Sequence, residues 1–208
     1  MPSNDPPLSV LQPPGGWLPA QSSRLSPTSP DQWSLPLRIL FGLGRRAARR
    51  RTGHDEVPAL FAVLARNPRL FWPWLRFAAR LMPYGSLQRR HTELVILRVG
   101  WRCRCRYEWG QHVAIGLREG LSRDDIRRIA EGPSATEWRP QERLLLLATD
   151  QLLDGHTLDA DTWDALSAWL PATQMIELTM LIGHYAMLAG LLNSLGLPLD
   201  GAAEAALA

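Results

Sequence analysis

The chain has 208 residues, of which 46% are apolar, enough for one well-buried core. Its first ten residues lack a basic segment followed by an apolar one, and no apolar run approaches the roughly eighteen residues of a membrane span, so we expect neither a secretory signal nor a membrane protein. Two cysteines cannot form a disulfide scaffold, which predicts a cytoplasmic protein with reduced thiols.

The net charge is only +3, but the basic residues are unevenly distributed. All 23 are arginines, and twenty of them lie between Arg38 and Arg128, whereas acidic residues dominate the part that follows. This concentration of positive charge favours anionic ligands or partners near that half of the chain.

Residues 1–36 are predicted to form a flexible arm, followed by a single helical domain over residues 37–208. Eight of the 17 prolines fall within the first 35 residues, a composition that cannot bury enough surface to order itself. Trp17 and Trp33 are exceptions, and we expect them to dock on the body or on a neighbouring subunit.

From Leu37 onward the apolar residues recur with the period of helices, and we predict an all-α fold. Alternation over more than three residues and turns of the Asn-Gly kind are both missing, so no strand pair is expected. The predicted helical segments are 37–51, pieces of 58–82 divided by Pro58, Pro68 and Pro73, a helix from a cap at Ser86 to Gly100, 105–119, a helix from the Ser122–Asp125 capping box to Gly132, 140–155, 161–170 and 173–196.

The stretch WRCRCRYEWGQH, residues 101–112, contains both cysteines of the chain. If a helix begins near Arg104, then Cys105, Glu108 and His112 share one stripe, because positions i, i+3 and i+7 lie on one face. The positive helix end and the flanking arginines predict a lowered pKa for the Cys105 thiol. Glu108 and His112 lie one turn apart and can share a proton.

Glu93 is a fourth candidate, because it lies on the apolar stripe of the preceding helix. A carboxylate there is costly unless it is paired or protonated. Antiparallel packing across a short turn at Gly100 would bring Glu93 to the cysteine, glutamate and histidine of the next helix, and together they would suit general acid–base chemistry. The alternative interpretation is a charged loop, cysteines that fill the core and a surface pair of glutamate and histidine.

The spacing from Glu93 to Cys105 and on to His112 resembles the alkylhydroperoxidase AhpD-like core of the carboxymuconolactone decarboxylase family. Redox-active members of that family have a glutamate followed by C-x-x-C-x-x-x-H. The resemblance runs from about Tyr84 to Asp200 and includes RHTELVILRVGW, YEWGQHVAIGLREGLS and HYAMLAGLLNSLGLPLD. It implies an AhpD-like helical bundle that forms a homo-oligomer, either a trimer or a higher ring, and acts on a small molecule; we expect no cofactor.

Glu108 stands where the redox members of the family have their second, peroxide-attacking cysteine. The resemblance therefore implies two alternatives. In the first, Cys105 carries peroxiredoxin-type thiol chemistry, assisted by Glu93, Glu108 and His112, with Cys103 or an external thiol as reductant. In the second, the decarboxylase branch, Glu93, Glu108 and His112 transfer protons at carbon without thiol chemistry.

For substrate binding we expect Arg90, Arg102 and Arg106 to hold substrate carboxylates as bidentate partners, with Trp109 beside them. Glu177 and His184 share a face of the last long helix and are expected to form a buried polar pair at a subunit contact or a core contact.

We expect no metal site, because the cluster has one histidine and no HExxH spacing. The basic run RRAARRR, residues 45–51, is predicted to be a solvated helix end rather than a nucleic-acid or membrane site. A non-catalytic alternative remains, in which the arginine-rich half holds an anionic partner.

Overall fold

A computed structural model describes residues 6–18, 23–52 and 58–208, with the side chains of residues 47, 48 and 50–52 outside the description. Over these ranges the chain forms α-helices and short 3-10 turns and no strand, so the all-α prediction is confirmed. The helices are α1 (Leu35–Thr52), α2 (Ala59–Leu64), α3 (Pro68–Leu81), α4 (Arg89–Arg102), α5 (Arg106–Arg118), α6 (Arg123–Glu131), α7 (Pro140–Gly155), α8 (Ala160–Ser167), α9 (Ala172–Leu195) and α10 (Gly201–Leu207).

Local signals placed most of these helices correctly. The capping box of α6 is present, with the Ser122 hydroxyl accepting from the Asp125 N–H at 3.0 Å and the Asp125 carboxylate accepting from the Ser122 N–H at 2.8 Å. Gly132 ends that helix with a φ of 103°, a conformation that side chains disfavour. The bounds of α7 match the prediction to the residue.

The boundaries predicted at Ser86 and Pro73 are wrong. Ser86 does not cap α4, because its N–H and hydroxyl donate to the Glu177 carboxylate at 2.8 and 2.6 Å, and the helix begins only after Gln88. Pro73 does not divide α3. It lies on the exposed side of the helix, where water can hydrate the carbonyl that loses its backbone donor.

The central helix of the body is α4, which packs against α5, α6, α7 and α9. All its residues from His91 to Trp101 are buried, including the charged Glu93 and Arg98. Arg98 forms a bidentate pair with Asp150 at 2.8 and 2.7 Å. A helix buried on all sides tolerates charges only when they are paired in this way.

The helices α4 and α5 pack as a hairpin whose turn is Cys103–Cys105. The turn predicted at Gly100 is therefore displaced, and Gly100 lies inside α4. Its role is close packing, since a side chain there would place Cβ only 3.3 Å from the backbone nitrogen of Trp109. Within the turn, Arg104 adopts a left-handed φ of 54°.

The arm before α1 lies against the helical body over its described residues. Leu8 is buried in the main core. The Trp17 indole packs against Trp101 and Trp109, with ring centroids 5.5 and 5.9 Å apart, and Trp33 packs against α1. Docking of both tryptophans on the body is thus confirmed, whereas the flexibility of the arm and its status as a separate segment stay predictions.

Among the described helices, α9 is long and apolar enough to cross a membrane, by length and composition. Half of its most apolar stretch is buried inside the helical body, which is the pattern expected of a central core helix.

Candidate active site

A cavity of about 330 Å³ lies among α2, α3, α5 and α9. This volume suits a small organic molecule. Its wall is largely apolar and aromatic, with Leu60, Phe61, Trp74, Leu75, Met82, Ile115 and Leu188 among the lining residues. The polar side chains in the wall are Tyr107, Glu108, Gln111, His112, His184 and Tyr185.

Glu93 faces the next helix as predicted, and it pairs with His112, linking α4 to α5. The proton sharing expected between Glu108 and His112 is not found, because among the described residues the Glu108 oxygens have no hydrogen-bond partner. The Glu93 Oε2 atom lies 2.7 Å from His112 Nδ1, and Oε1 accepts from the Arg89 guanidinium at 3.0 Å. Glu93 is fully buried behind the wall, whereas His112 lines the cavity. In the neutral tautomer that donates Nδ1–H to the carboxylate, Nε2 is the acceptor nitrogen that faces a ligand. The pair is therefore an oriented base.

Glu108 lines the same cavity without a partner. Both of its carboxyl oxygens are buried and have no hydrogen-bond partner among the residues that the structure describes. Burial raises the pKa of Glu108 well above its ordinary value of 4.5, which favours the protonated form of the side chain. A proton donor thus stands one helical turn from the His112 base. Two titratable groups with opposite protonation states are the usual components of acid–base catalysis.

Tyr185 of α9 contacts two imidazoles. Its ring meets His112 edge to face at 5.1 Å and His184 at 5.3 Å. Burial, and then the nearby Glu93 carboxylate, raise the pKa of Tyr185, so its phenol stays neutral. The aromatic ring therefore links the oriented base to a second imidazole by packing.

The cysteines do not match the predicted nucleophile. Cys105 is the residue before the first turn of α5; it is fully buried and does not line the cavity. Burial raises the pKa of Cys105 well above its ordinary value and outweighs the nearby N–H groups of Glu108 and Tyr107. Burial also raises the pKa of Cys103 to about 11. The predicted lowering of the thiol pKa is wrong, because desolvation exceeds the effect of the helix end.

The residues expected to bind substrate lie away from the cavity. Arg90 and Arg102 form ion pairs with acidic side chains of α6 and α7. Arg106 is exposed at the start of α5, and Trp109 is buried against the arm. None of the four lines the cavity, and the lining residues that the structure describes include no arginine. The described wall thus offers no bidentate partner for a substrate carboxylate.

Sequence reasoning missed the contribution of α9 to the site. The spacing of Glu177 and His184 suggested a pair, but Glu177 accepts from the backbone N–H groups of Ser86 and Leu87 at 2.8 and 3.0 Å. His184 lines the cavity instead. The available signal was the adjacency of His184 and Tyr185 in an otherwise apolar helix, where polar groups need a partner or a cavity.

The model of the carboxymuconolactone decarboxylase family matches residues 68–151. This segment belongs to that family. It carries Glu93, Cys105, Glu108 and His112, which are the four predicted catalytic residues. No curated protein matches the chain.

Solved structures show the same fold. The debrominase Bmp8 superposes with a TM-score of 0.71 at 16% identity, covering 89% of this chain and 96% of its own. A Cys-to-Ala variant of Bmp8 in complex with 2,3,4-tribromopyrrole gives 0.72 at 15% identity, covering 90% and 97%. A peroxidase-related protein with an alkylhydroperoxidase AhpD core, from Ralstonia eutropha, gives 0.68 at 15%, covering 79% and 87%. At these identities the likeness establishes an AhpD-like fold.

Proposed function

We propose that this protein is an enzyme that transfers protons at carbon in a small, mostly apolar molecule, without thiol chemistry. The observation that carries the proposal is the joint presence of an oriented base and a protonated acid in one cavity wall. His112 Nε2 removes a proton from the substrate, and Glu108 donates a proton to a second position. Glu93 stabilises the imidazolium that forms. Return of the proton from His112 to Glu108 completes a redox-neutral proton shift.

The peroxidase alternative has less support. A thiol attacks as its thiolate. The Cys105 side chain is fully buried and does not line the cavity, and burial raises the pKa of its thiol. A reaction that begins at Cys105 would need the turn that carries it to open first.

The size and lining of the cavity also favour one class of substrate. Its size suits a ring compound, and its described wall has no arginine for a carboxylate. The similarity to a debrominase that binds 2,3,4-tribromopyrrole gives a further reason to test small uncharged rings.

The test compares two reactions in the same set of variants. We expect wild-type protein in D₂O to exchange protons at carbon in members of a panel of cyclic ketones, lactones and halogenated pyrroles, followed by NMR. Cys105→Ser, and Cys105→Ala as a variant better suited to a buried site, should keep this exchange within about twofold. His112→Ala should lower it about a hundredfold or more, the usual contribution of a general base.

The control reaction is reduction of tert-butyl hydroperoxide with a thiol donor. Hydroperoxide turnover that Cys105→Ala abolishes, combined with no proton exchange by the wild type, would refute the proposal in favour of the redox alternative.

The remaining expectations stay predictions. They are the homo-oligomeric ring, the cytoplasmic location and the anionic partner. For the anionic partner, the exposed side chains of Arg45, Arg46 and Arg49 on α1 are the described part of the basic run, and binding there should weaken steeply with salt.

A further inference from the structure

His184 is a second imidazole at the cavity that the proton transfer does not use. It lies on α9 with 6% of its surface exposed, and its Nδ1 atom is buried without a hydrogen-bond partner in the described part of the chain. A buried polar atom without a partner costs free energy of folding. His184 lines the cavity, so a ligand that occupies the cavity lies against this ring.

Aromatic contacts on three sides fix the orientation of the His184 ring. Trp74 stacks on it at 6.2 Å, and Phe77 and Tyr185 meet it edge to face, both at 5.3 Å. A polar group held in place by packing binds a ligand without losing rotamer freedom, which favours recognition.

His184 is uncharged at neutral pH, because burial lowers its pKa to about 4. A neutral imidazole has one donor and one acceptor nitrogen. It can therefore bind a hydroxyl, a carbonyl or a ring N–H, but it offers no positive charge to a carboxylate. Glu108 offers no positive charge to a carboxylate either.

We propose that His184 is a specificity-determining residue that hydrogen-bonds one uncharged polar group of a ring-sized substrate. The class comprises phenol-like, cyclic ketone-like and pyrrole-like molecules, and its assignment as the substrate of a proton transfer rests on the proposed function. Because His184 and His112 contact Tyr185 as two distinct imidazoles of the cavity wall, the group that His184 recognises differs from the carbon that faces His112.

Three methylbenzenes that differ only in the group opposite the methyl test this recognition: 4-methylphenol, toluene and 4-methylbenzoate. Dissociation constants are measured by titration of tryptophan fluorescence, since Trp74 lines the cavity. The quantity compared is the preference for 4-methylphenol over toluene. His184→Phe keeps an aromatic ring and removes both nitrogens, and should lower this preference about three- to tenfold, the range expected for one hydrogen bond.

The matched control is His91→Phe. His91 is an imidazole of similar burial, 7% exposed, that packs against Trp169 and does not line the cavity. It should leave the preference unchanged. His184→Gln retains a donor and an acceptor and should restore part of the preference, which distinguishes hydrogen bonding from packing.

Three results would overturn the inference: an unchanged preference in His184→Phe, an equal loss in His91→Phe, or 4-methylbenzoate binding as tightly as 4-methylphenol. Failure of the proposed function has a different signature. A wild-type protein with the His184-dependent preference but no proton exchange at carbon would keep the recognition role and refute the reaction.

Discussion

Glu108 links the chemistry of the site to the stability of the fold. Its carboxyl is buried without partners, and burial raises its pKa well above 4.5. At pH values below the ordinary pKa of 4.5, the Glu108 side chain is mostly protonated in both the folded and the unfolded chain. As pH rises, the unfolded chain releases the proton first, so the folded state loses about 1.4 kcal/mol per pH unit until the folded carboxyl ionises.

Glu108→Gln keeps the shape of the side chain and removes its titration. We expect the variant to be more stable than the wild type at pH 7, with a difference that grows as pH rises and disappears below about pH 4, measured by urea unfolding between pH 4 and 8. Proton exchange at carbon should fall in the same variant. Glu131→Gln, at an exposed position of α6, is the control and should show no such slope. A stability difference for Glu108→Gln that is independent of pH would contradict this account.

At the scale of residues, spacing along one helix predicted neighbours well and environments poorly. That Glu93 faces the next helix followed from helical spacing and one hairpin, but its partner there is His112, for which the spacing had suggested Glu108. The state of Cys105 did not, because burial by distant segments sets its pKa and no local pattern encodes those segments. The same reason explains why His184 was not assigned to the cavity.

At the scale of elements, the turn between α4 and α5 is held by the arm. The Arg104 guanidinium donates to the carbonyls of Gly15 and Gly16, and the Arg104 carbonyl accepts from the Leu18 N–H at 3.2 Å. Trp17 packs beside this contact. The arm therefore braces the turn that carries both cysteines.

Arg104→Asn tests whether the arm protects the thiols. Asparagine tolerates the left-handed backbone of this position but is too short to reach the arm. We expect the thiols to react with a colorimetric disulfide reagent at least about tenfold faster, because losing a charge-assisted hydrogen bond costs about 1.5–3 kcal/mol. Arg46→Asn, at an exposed position of α1, should leave the rate unchanged. An unchanged rate in Arg104→Asn would mean that the body alone buries the thiols.

Helix positions were predictable where their signals are local. The capping box at Ser122 and the proline that opens α7 act within one turn, and both helices begin where expected. The start of α4 was not predictable in this way, because Glu177, 91 residues further along the chain, takes the polar groups of Ser86.

At the scale of the whole molecule, the helical period of the sequence was enough for the fold class, while the assembly of the helices depends on ion pairs that spacing does not reveal. Arg90 of α4 binds Asp125 of α6 at 3.0 Å and Glu142 of α7 at 2.8 Å. Arg90, which was expected from the sequence to bind substrate, therefore joins the central helix to its neighbours.

Lowering the pH should weaken the ion pair between Arg90 of α4 and Asp125 of α6. Burial opposes ionisation of this side chain, but the Ser122 N–H and the guanidinium groups of Arg90 and Arg128 outweigh it and hold the pKa of Asp125 at about 2. A lowered pKa contributes stability that is present above the ordinary value of 3.8 and is lost as pH falls toward 2; the shift corresponds to about 2 kcal/mol.

Asp125→Asn keeps the side-chain cap of α6 and removes the charge. We expect the variant to be less stable than the wild type at pH 6, and the difference in free energy of unfolding to shrink as pH falls from 4 to 2, measured by urea unfolding. Asp124→Asn alters the adjacent residue, whose side chain is 76% exposed, and should leave stability nearly unchanged at both pH values because exposed ion pairs contribute little. If Asp125→Asn and the wild type differ as much at pH 2 as at pH 6, the charge of Asp125 is not what joins α4 to α6, and the difference arises from hydrogen bonds that asparagine does not replace.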